Sequence, residues 1–210
     1  LPPQASTGNP SASGASVAED ASFVSSDGVR LHVDVRGKGV PTLYLHGGPG
    51  SGSHSFETVV GPAIEPEMRM IYLDRRGSGG SASPVSGDYS LERVVEDVEE
   101  LRNKLGIKRW VLMAYSFGGL VAQAYAEKHP ERVAGMVLAD SILDLQGSMA
   151  LTVRAVQGYP GIPPLPDAMP LPVRYFTALG AIEKSGQGYR LNYRDAASQD
   201  AILARVKMAQ

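Results

Sequence analysis

A chain of 210 residues with 43% hydrophobic and 20% charged side chains has ordinary globular composition, with room for one good-sized core and a small second lobe. Twenty basic side chains stand against 22 acidic ones, and the net charge of −2 argues against a nucleic-acid partner or an anionic membrane surface. The absence of cysteine excludes disulfides, thiolate metal sites and a cysteine nucleophile, and the only histidines are His32, His46, His54 and His129.

Residues 1–20, LPPQASTGNPSASGASVAED, carry little apolar surface to offset ordering entropy, so a flexible tail is expected there. The chain begins with Leu rather than Met, which suits a mature exported protein and slightly favours export over a cytoplasmic location. An arbitrary boundary would give the same start, and no signal-peptide apolar region is present to decide.

From Ala21 the pattern is strand, strand, then alternating strand and helix. Ala21–Ser25 and Val29–Arg36 flank Asp27-Gly28, a hairpin signal. Thr42–Leu45 and Met68–Leu73 read as buried parallel strands. Between them His54–Ile64 reads as a helix weakened by Gly61 and Pro62. Ser90–Leu105 is the clearest helix, with Ser90 as N-cap, Leu91, Val94, Val95, Val98, Leu101 and Leu105 on one face, and Gly106 as the C′ glycine. Tyr89 and Val94 are placed to form a hydrophobic staple. Arg109–Ala114 is a strand, Phe117–His129 a helix stopped by Pro130, and Val133–Ala139 a sixth strand. Trp110–Ala126 is apolar but interrupted by Ser116, Gly118, Gly119 and Gln123, so no membrane span is expected. Residues 21–140 thus form an α/β core. Residues 141–210, with a proline-rich Tyr159–Pro172 and helices over Ser148–Gln157, Arg174–Lys184 and Ala196–Met208, form a helical cap.

Two loops carry chemistry. Ala114-Tyr115-Ser116-Phe117-Gly118-Gly119 joins a strand to a helix, and a turn that tight needs small residues two before and two after its centre. Ser116 then projects as a nucleophile, with the Phe117 amide directed at any oxyanion formed beside it. His46-Gly47-Gly48-Pro49-Gly50 follows a strand, and its glycines let backbone amides approach a substrate oxygen. Gly48 is the expected second oxyanion donor, while His46, Gly47, Pro49 and Gly50 shape the loop. His46 is expected to brace it rather than to move protons. Asp74-Arg75-Arg76-Gly77-Ser78-Gly79-Gly80-Ser81 lacks the lysine and following hydroxyl of a P-loop, and is expected to shape the mouth of the same site.

HGGPG, DRRGSGGS, LGIKRWVLMAYSFGG and YAEKHPERV, in this order over residues 21–140, resemble the α/β-hydrolase fold and, within it, the proline iminopeptidase-like branch, peptidase family S33. The resemblance implies a mostly parallel sheet whose first strands are antiparallel, a helical cap, and a serine hydrolase that needs no metal or organic cofactor. The elbow departs from the Gly-Gly-Ser-Trp-Gly usual in proline iminopeptidases, and Asp140-Ser141 stands where they tend to carry Arg-Gly. An aminopeptidase acting on a small peptide is the first substrate class, and an esterase or lactonase the second.

A serine nucleophile needs a base, and in this fold the order is nucleophile, acid, histidine. Only His129 follows Ser116, at the far end of the next helix, roughly 18–20 Å away at about 1.5 Å per residue. Asp140 is a candidate acid, and a capping or structural aspartate is the other reading. Asp144, Asp167 and Glu183 in the cap are candidates for a substrate ammonium, or solvated surface charges. Completing the sheet takes roughly 60 further residues. The chain is therefore expected to be an N-terminal portion, with the last strands and the histidine supplied by a C-terminal segment or a second chain. A naturally complete chain would instead be a non-catalytic binding protein.

Overall fold

The computed structural model describes residues 19–48, 50–191 and 195–208, so the run 1–18 and Pro49, both given roles above, lie outside the described residues. The strands are β1 (Glu19–Asp20), β2 (Phe23–Val24), β3 (Arg30–Leu31), β4 (Val33–Arg36), β5 (Val40–Leu45), β6 (Met68–Leu73), β7 (Trp110–Tyr115) and β8 (Val133–Ala139). The helices are α1 (His54–Val59), α2 (Gly61–Ile64), α3 (Leu91–Lys104), α4 (Gly118–Lys128), α5 (Leu145–Gln157), α6 (Leu171–Lys184) and α7 (Ala196–Met208). Six strands form one sheet in the order β1-β4-β6-β5-β7-β8. It is parallel from β6 to β8 and antiparallel where β4 meets β1 and β6, as the family resemblance implies.

Period-two alternation sorts the apolar side chains onto two faces. Leu43, Leu45, Ile71, Leu73 and Leu112 point to one side and pack with Val95, Val98 and Leu101 of α3 and Val121 and Tyr125 of α4. Tyr44, Met70 and Tyr72 point to the other, against Phe56 and Ile64. The Tyr44 and Phe56 rings stack at 3.9 Å. Covering both faces is what a parallel ladder requires. At the sheet's end, β8 leaves Met136, Val137 and Leu138 36–45% exposed.

Several local expectations are refined. Glu19 and Asp20, the last residues of the expected tail, pair with Val35 and Asp34. The strand expected over 29–36 breaks at His32, because its amide goes to Ser81 Oγ (2.8 Å) and its carbonyl accepts from the Asp74 amide (3.0 Å). β3 therefore pairs with β2, while β4 joins the main sheet. The helix expected over 54–64 divides at Val60, just before Gly61 and Pro62, where proline can donate no ladder hydrogen bond. In α3, Ser90 Oγ accepts the Arg93 amide (3.3 Å), Val94, Val95, Val98 and Leu101 are buried, and Leu91 is exposed in the first turn. Gly106 takes φ +62° just past its end.

Two of the three helices expected after β8 start earlier than expected, while α7 has the expected bounds. Asp144 accepts the Gly147 amide (3.1 Å) and begins α5 at Leu145, while Pro170 and Pro172 open α6. Val153, Val156, Ala178 and Ile182 form a separate small core between α5 and α6. The Ile202, Leu203, Val206 and Met208 side chains, expected to make α7 amphipathic, lie outside the described side chains. Among the described residues no helix is long and apolar enough to cross a membrane.

Candidate active site

The connections from β5 run first to β6 on one side and then across to β7 on the other. That reversal opens a crevice at the carboxyl ends of β5 and β7, the place where an open α/β sheet binds ligands. Both motif loops leave the sheet there, 46–50 from β5 and 115–117 from β7.

Ser116 sits at φ +51°, a left-handed backbone uncommon for a residue with a Cβ. Packing around it enforces that turn. Its amide donates to the Asp140 carbonyl (3.1 Å), and its own carbonyl accepts the Ile142 amide (2.8 Å), so the elbow is stitched to the segment after β8 on both sides. Ser141 Oγ donates to the Ala114 carbonyl (3.0 Å). A Cβ at Gly118 would strike the Leu45 carbonyl oxygen, which is why α4 approaches β5 only with glycine there. Ala114, at the other small position, is fully buried. The predicted requirement for small residues on either side of Ser116 is therefore a packing requirement.

The 46–50 loop lies against this elbow. A Cβ placed on Gly47 would come within 3.0 Å of Ser116 Cβ and of the Tyr115 ring. Gly48 takes φ +55°. The Gly48 and Phe117 amides donate to no described residue. Pro49, given a shaping role with them, lies outside the described residues.

His46 is 1% exposed, with Nε2 accepting the Arg75 amide (3.1 Å) and Nδ1 facing the Gly47 carbonyl (2.8 Å). Those partners assign the neutral ring its proton on Nδ1. Burial, reinforced by the neighbouring Arg75 charge, lowers its pKa from 6.5 to about 4. The folded state thus refuses a proton that the unfolded chain binds between those values. The stability His46 contributes is whole above pH 6.5 and is lost as pH falls through about 4. Urea midpoints are expected to fall on acidification through this window, and to fall less in His46→Gln.

Within the 74–81 segment the sequence does not set Arg75 apart from Arg76, and the structure does. Arg75 Nη2 donates to the carbonyls of Gly47 and Gly48, both at 3.0 Å, and its guanidinium lies 5.1 Å from the Phe117 ring centroid. One side chain thus grips the carbonyl side of the glycine loop and touches the elbow. Burial pushes its pKa down to about 10, which leaves it cationic at neutral pH. The only sequence signal was its place in a charged, glycine-rich segment. Asp74 ties that segment to the start of α1, with Oδ1 accepting from the Ser53 amide (2.7 Å) and Oδ2 from the Gly80 amide (2.8 Å). Arg76 points the other way. Its buried guanidinium forms a two-pronged pair with Asp97 (both 2.7 Å) and also reaches Asp27 (2.8 Å). That contact holds the Asp27 carboxyl below its usual range.

Asp140 meets Ser116 through its backbone carbonyl, has φ +45°, and is exposed. The other histidines have no described contact with Ser116. His32 lies 3.3 Å from Ser22 Oγ, His54 is exposed at the start of α1, and His129 sits against Tyr125 at the end of α4. Of the carboxylates beyond β8, Asp144 caps α5 and Asp167 pairs with Arg174 (2.7 Å), while Glu183 lies beside Gly188. Among the described residues, the group with metal-ligand spacing is Asp20, His32 and Asp34, within 4.8 Å of one another. It belongs to the β1–β4 side of the sheet, with β6 and β5 between β4 and β7.

A family model described as alpha/beta hydrolase fold matches residues 41–164. The proline iminopeptidase of Neisseria meningitidis serogroup A is 39% identical over 102 residues, 48% of this chain and 32% of that protein. The proline iminopeptidase of Saccharolobus solfataricus is 30% identical over 148 residues, 70% of this chain and 46% of that protein. The chain thus matches less than half the length of these curated relatives. The crystal structure of a proline iminopeptidase-related protein from Thermus thermophilus superposes with a TM-score of 0.74 at 26% identity, covering 92% of this chain and 67% of that one.

Proposed function

The chain belongs to the α/β-hydrolase fold family, and from that premise we propose that the protein is a serine hydrolase, cleaving an amide or ester through an acyl-enzyme on Ser116. One observation carries the reading: a serine held at φ +51° between β7 and α4, packed against a glycine loop at the sheet's switch point. Such a turn lifts the hydroxyl above the sheet and places the start of a helix behind it. In this reading Ser116 Oγ attacks the substrate carbonyl carbon and its proton passes to a base. The amides of Gly48 and Phe117 hold the oxyanion, each worth roughly 3 kcal/mol of transition-state stabilisation. Collapse of the tetrahedral intermediate expels the amine or alcohol, which takes up that proton, and water then hydrolyses the acyl-enzyme.

His46 cannot be the base in this scheme, because both ring nitrogens are turned to Arg75 and Gly47. None of the other histidines has Ser116 as a described partner, so the reading assigns the base to a residue outside these 210, with Asp140 as the acid that orients it. The names of the relatives favour an aminopeptidase that removes an N-terminal residue from a small peptide. The Ala-Tyr-Ser-Phe-Gly elbow, without the tryptophan usual in that branch, keeps an esterase as the second reading of the same site.

Incubating the natural full-length protein with a fluorophosphonate probe is expected to give a single covalent adduct, located on Ser116 by peptide mass spectrometry. An unmodified Ser116 overturns the reading. Turnover of a prolyl aryl amide supports the aminopeptidase, whereas turnover of aryl esters alone moves the assignment to the esterase.

A further inference from the structure

We propose that the cavity between the 46–50 loop and the start of α3 is a binding site for a small organic carboxylate with an apolar body, anchored by Arg75. The cavity measures about 350 Å³ and is lined by Gly48, Arg75, Ser78, Tyr89, Val94 and Phe117, among others. That volume lies at the small end of the range for ligand sites.

Arg75 is the unusual member. It is 6% exposed, yet among the described residues no carboxylate lies within ion-pair distance of it. Its neighbour Arg76 shows the ordinary arrangement, with Asp97 and Asp27 neutralising it. A buried guanidinium without a counter-charge is costly, and the two loop carbonyls, His46 Nε2 and the Phe117 face offset that cost with dipoles rather than with charge. Its Nη1 donates to no described residue. An arriving carboxylate therefore meets a cation that is largely desolvated, and no existing ion pair has to break.

The walls define the rest of the ligand. Val94, Phe117 and the Tyr89 ring are apolar, and the second arginine at the cavity is already paired, so one net positive charge faces an apolar chamber. This favours a monoanion on an aromatic or aliphatic body over a phosphate or a dicarboxylate. Gly48 is shared with the loop assigned to the oxyanion, so the bound acid lies beside the reaction site. The binding itself does not depend on Ser116 chemistry.

Calorimetric titration of the full-length protein with phenylacetate, and separately with neutral phenylacetamide, tests this. Phenylacetate is expected to bind at least ten-fold more tightly than the amide, and equally well to wild type and Ser116→Ala. Arg75→Met is expected to weaken phenylacetate at least ten-fold. Because Arg75 also holds the glycine loop, Tyr89→Glu provides the second variant. It brings a carboxylate to the cavity from a half-exposed position, leaves the Arg75 bonds in place, and is expected to displace phenylacetate to the same extent. Equal binding of acid and amide, no binding of either, or wild-type affinity in both variants overturns the proposal. Loss of probe labelling at Ser116 with carboxylate binding retained would sink only the hydrolase reading.

Discussion

Ser116→Ala is expected to abolish fluorophosphonate labelling and to lower turnover about 10⁴-fold or more, with the far-UV spectrum unchanged. The size follows from what the hydroxyl does in an acyl-transfer site, where removing the nucleophile leaves only oxyanion and binding contributions. The fold should survive because the elbow is held by backbone contacts that alanine keeps. These are the Ser116 amide on the Asp140 carbonyl, the Ile142 amide on the Ser116 carbonyl, and the approach of Gly118 to Leu45. A companion variant separates chemistry from strain. Ser116→Gly also lacks the hydroxyl but adopts φ +51° without steric penalty, so it is expected to be more stable than Ser116→Ala by up to about 1 kcal/mol. Turnover or labelling retained in either variant would remove Ser116 from the mechanism.

Arg76→Met is expected to destabilise the fold by about 3–5 kcal/mol in urea unfolding, because it strands Asp97, a carboxylate only 2% exposed. The Arg93 contact to Asp97 (3.0 Å) remains and keeps the loss toward the lower end. The double variant Arg76→Met/Asp97→Leu is expected to recover most of it, since a buried pair often contributes little more than well-packed apolar groups of similar volume. If the double variant is as unstable as the single one, the pair is acting through loop geometry. Arg76 Nη1 also donates to the Asp88 carbonyl (3.0 Å), so it ties the 74–81 loop to the segment entering α3.

Much of this site was legible because its features are local. Glycines at 47 and 48, and alanine and glycine flanking Ser116, are demanded by backbone paths that short sequence windows encode. The Ser90 cap and the α3 apolar face were legible for the same reason. The break at His32 was not, because the residues that take its amide and carbonyl lie on the 74–81 loop, distant in sequence. Asp144 reads from the sequence as a solvated surface charge before a ligand, and only the fold puts its carboxylate on the Gly147 amide. Arg75 and Arg76 are adjacent and chemically identical in the sequence. Folding sends one to a carboxylate on α3 and the other to carbonyls beside Ser116.

The composition already excluded a cysteine nucleophile, and the order of strands, helices and glycine loops determined the fold class and the candidate nucleophile. The histidines take on meaning only in three dimensions, where both His46 ring nitrogens face Arg75 and Gly47 and none of the other three has Ser116 as a described partner. Tertiary structure alone decided which charges are neutralised, because burial and pairing depend on residues brought together from distant strands and loops. That is why the neighbouring arginines differ, and why an unneutralised cation ends up beside the glycine loop.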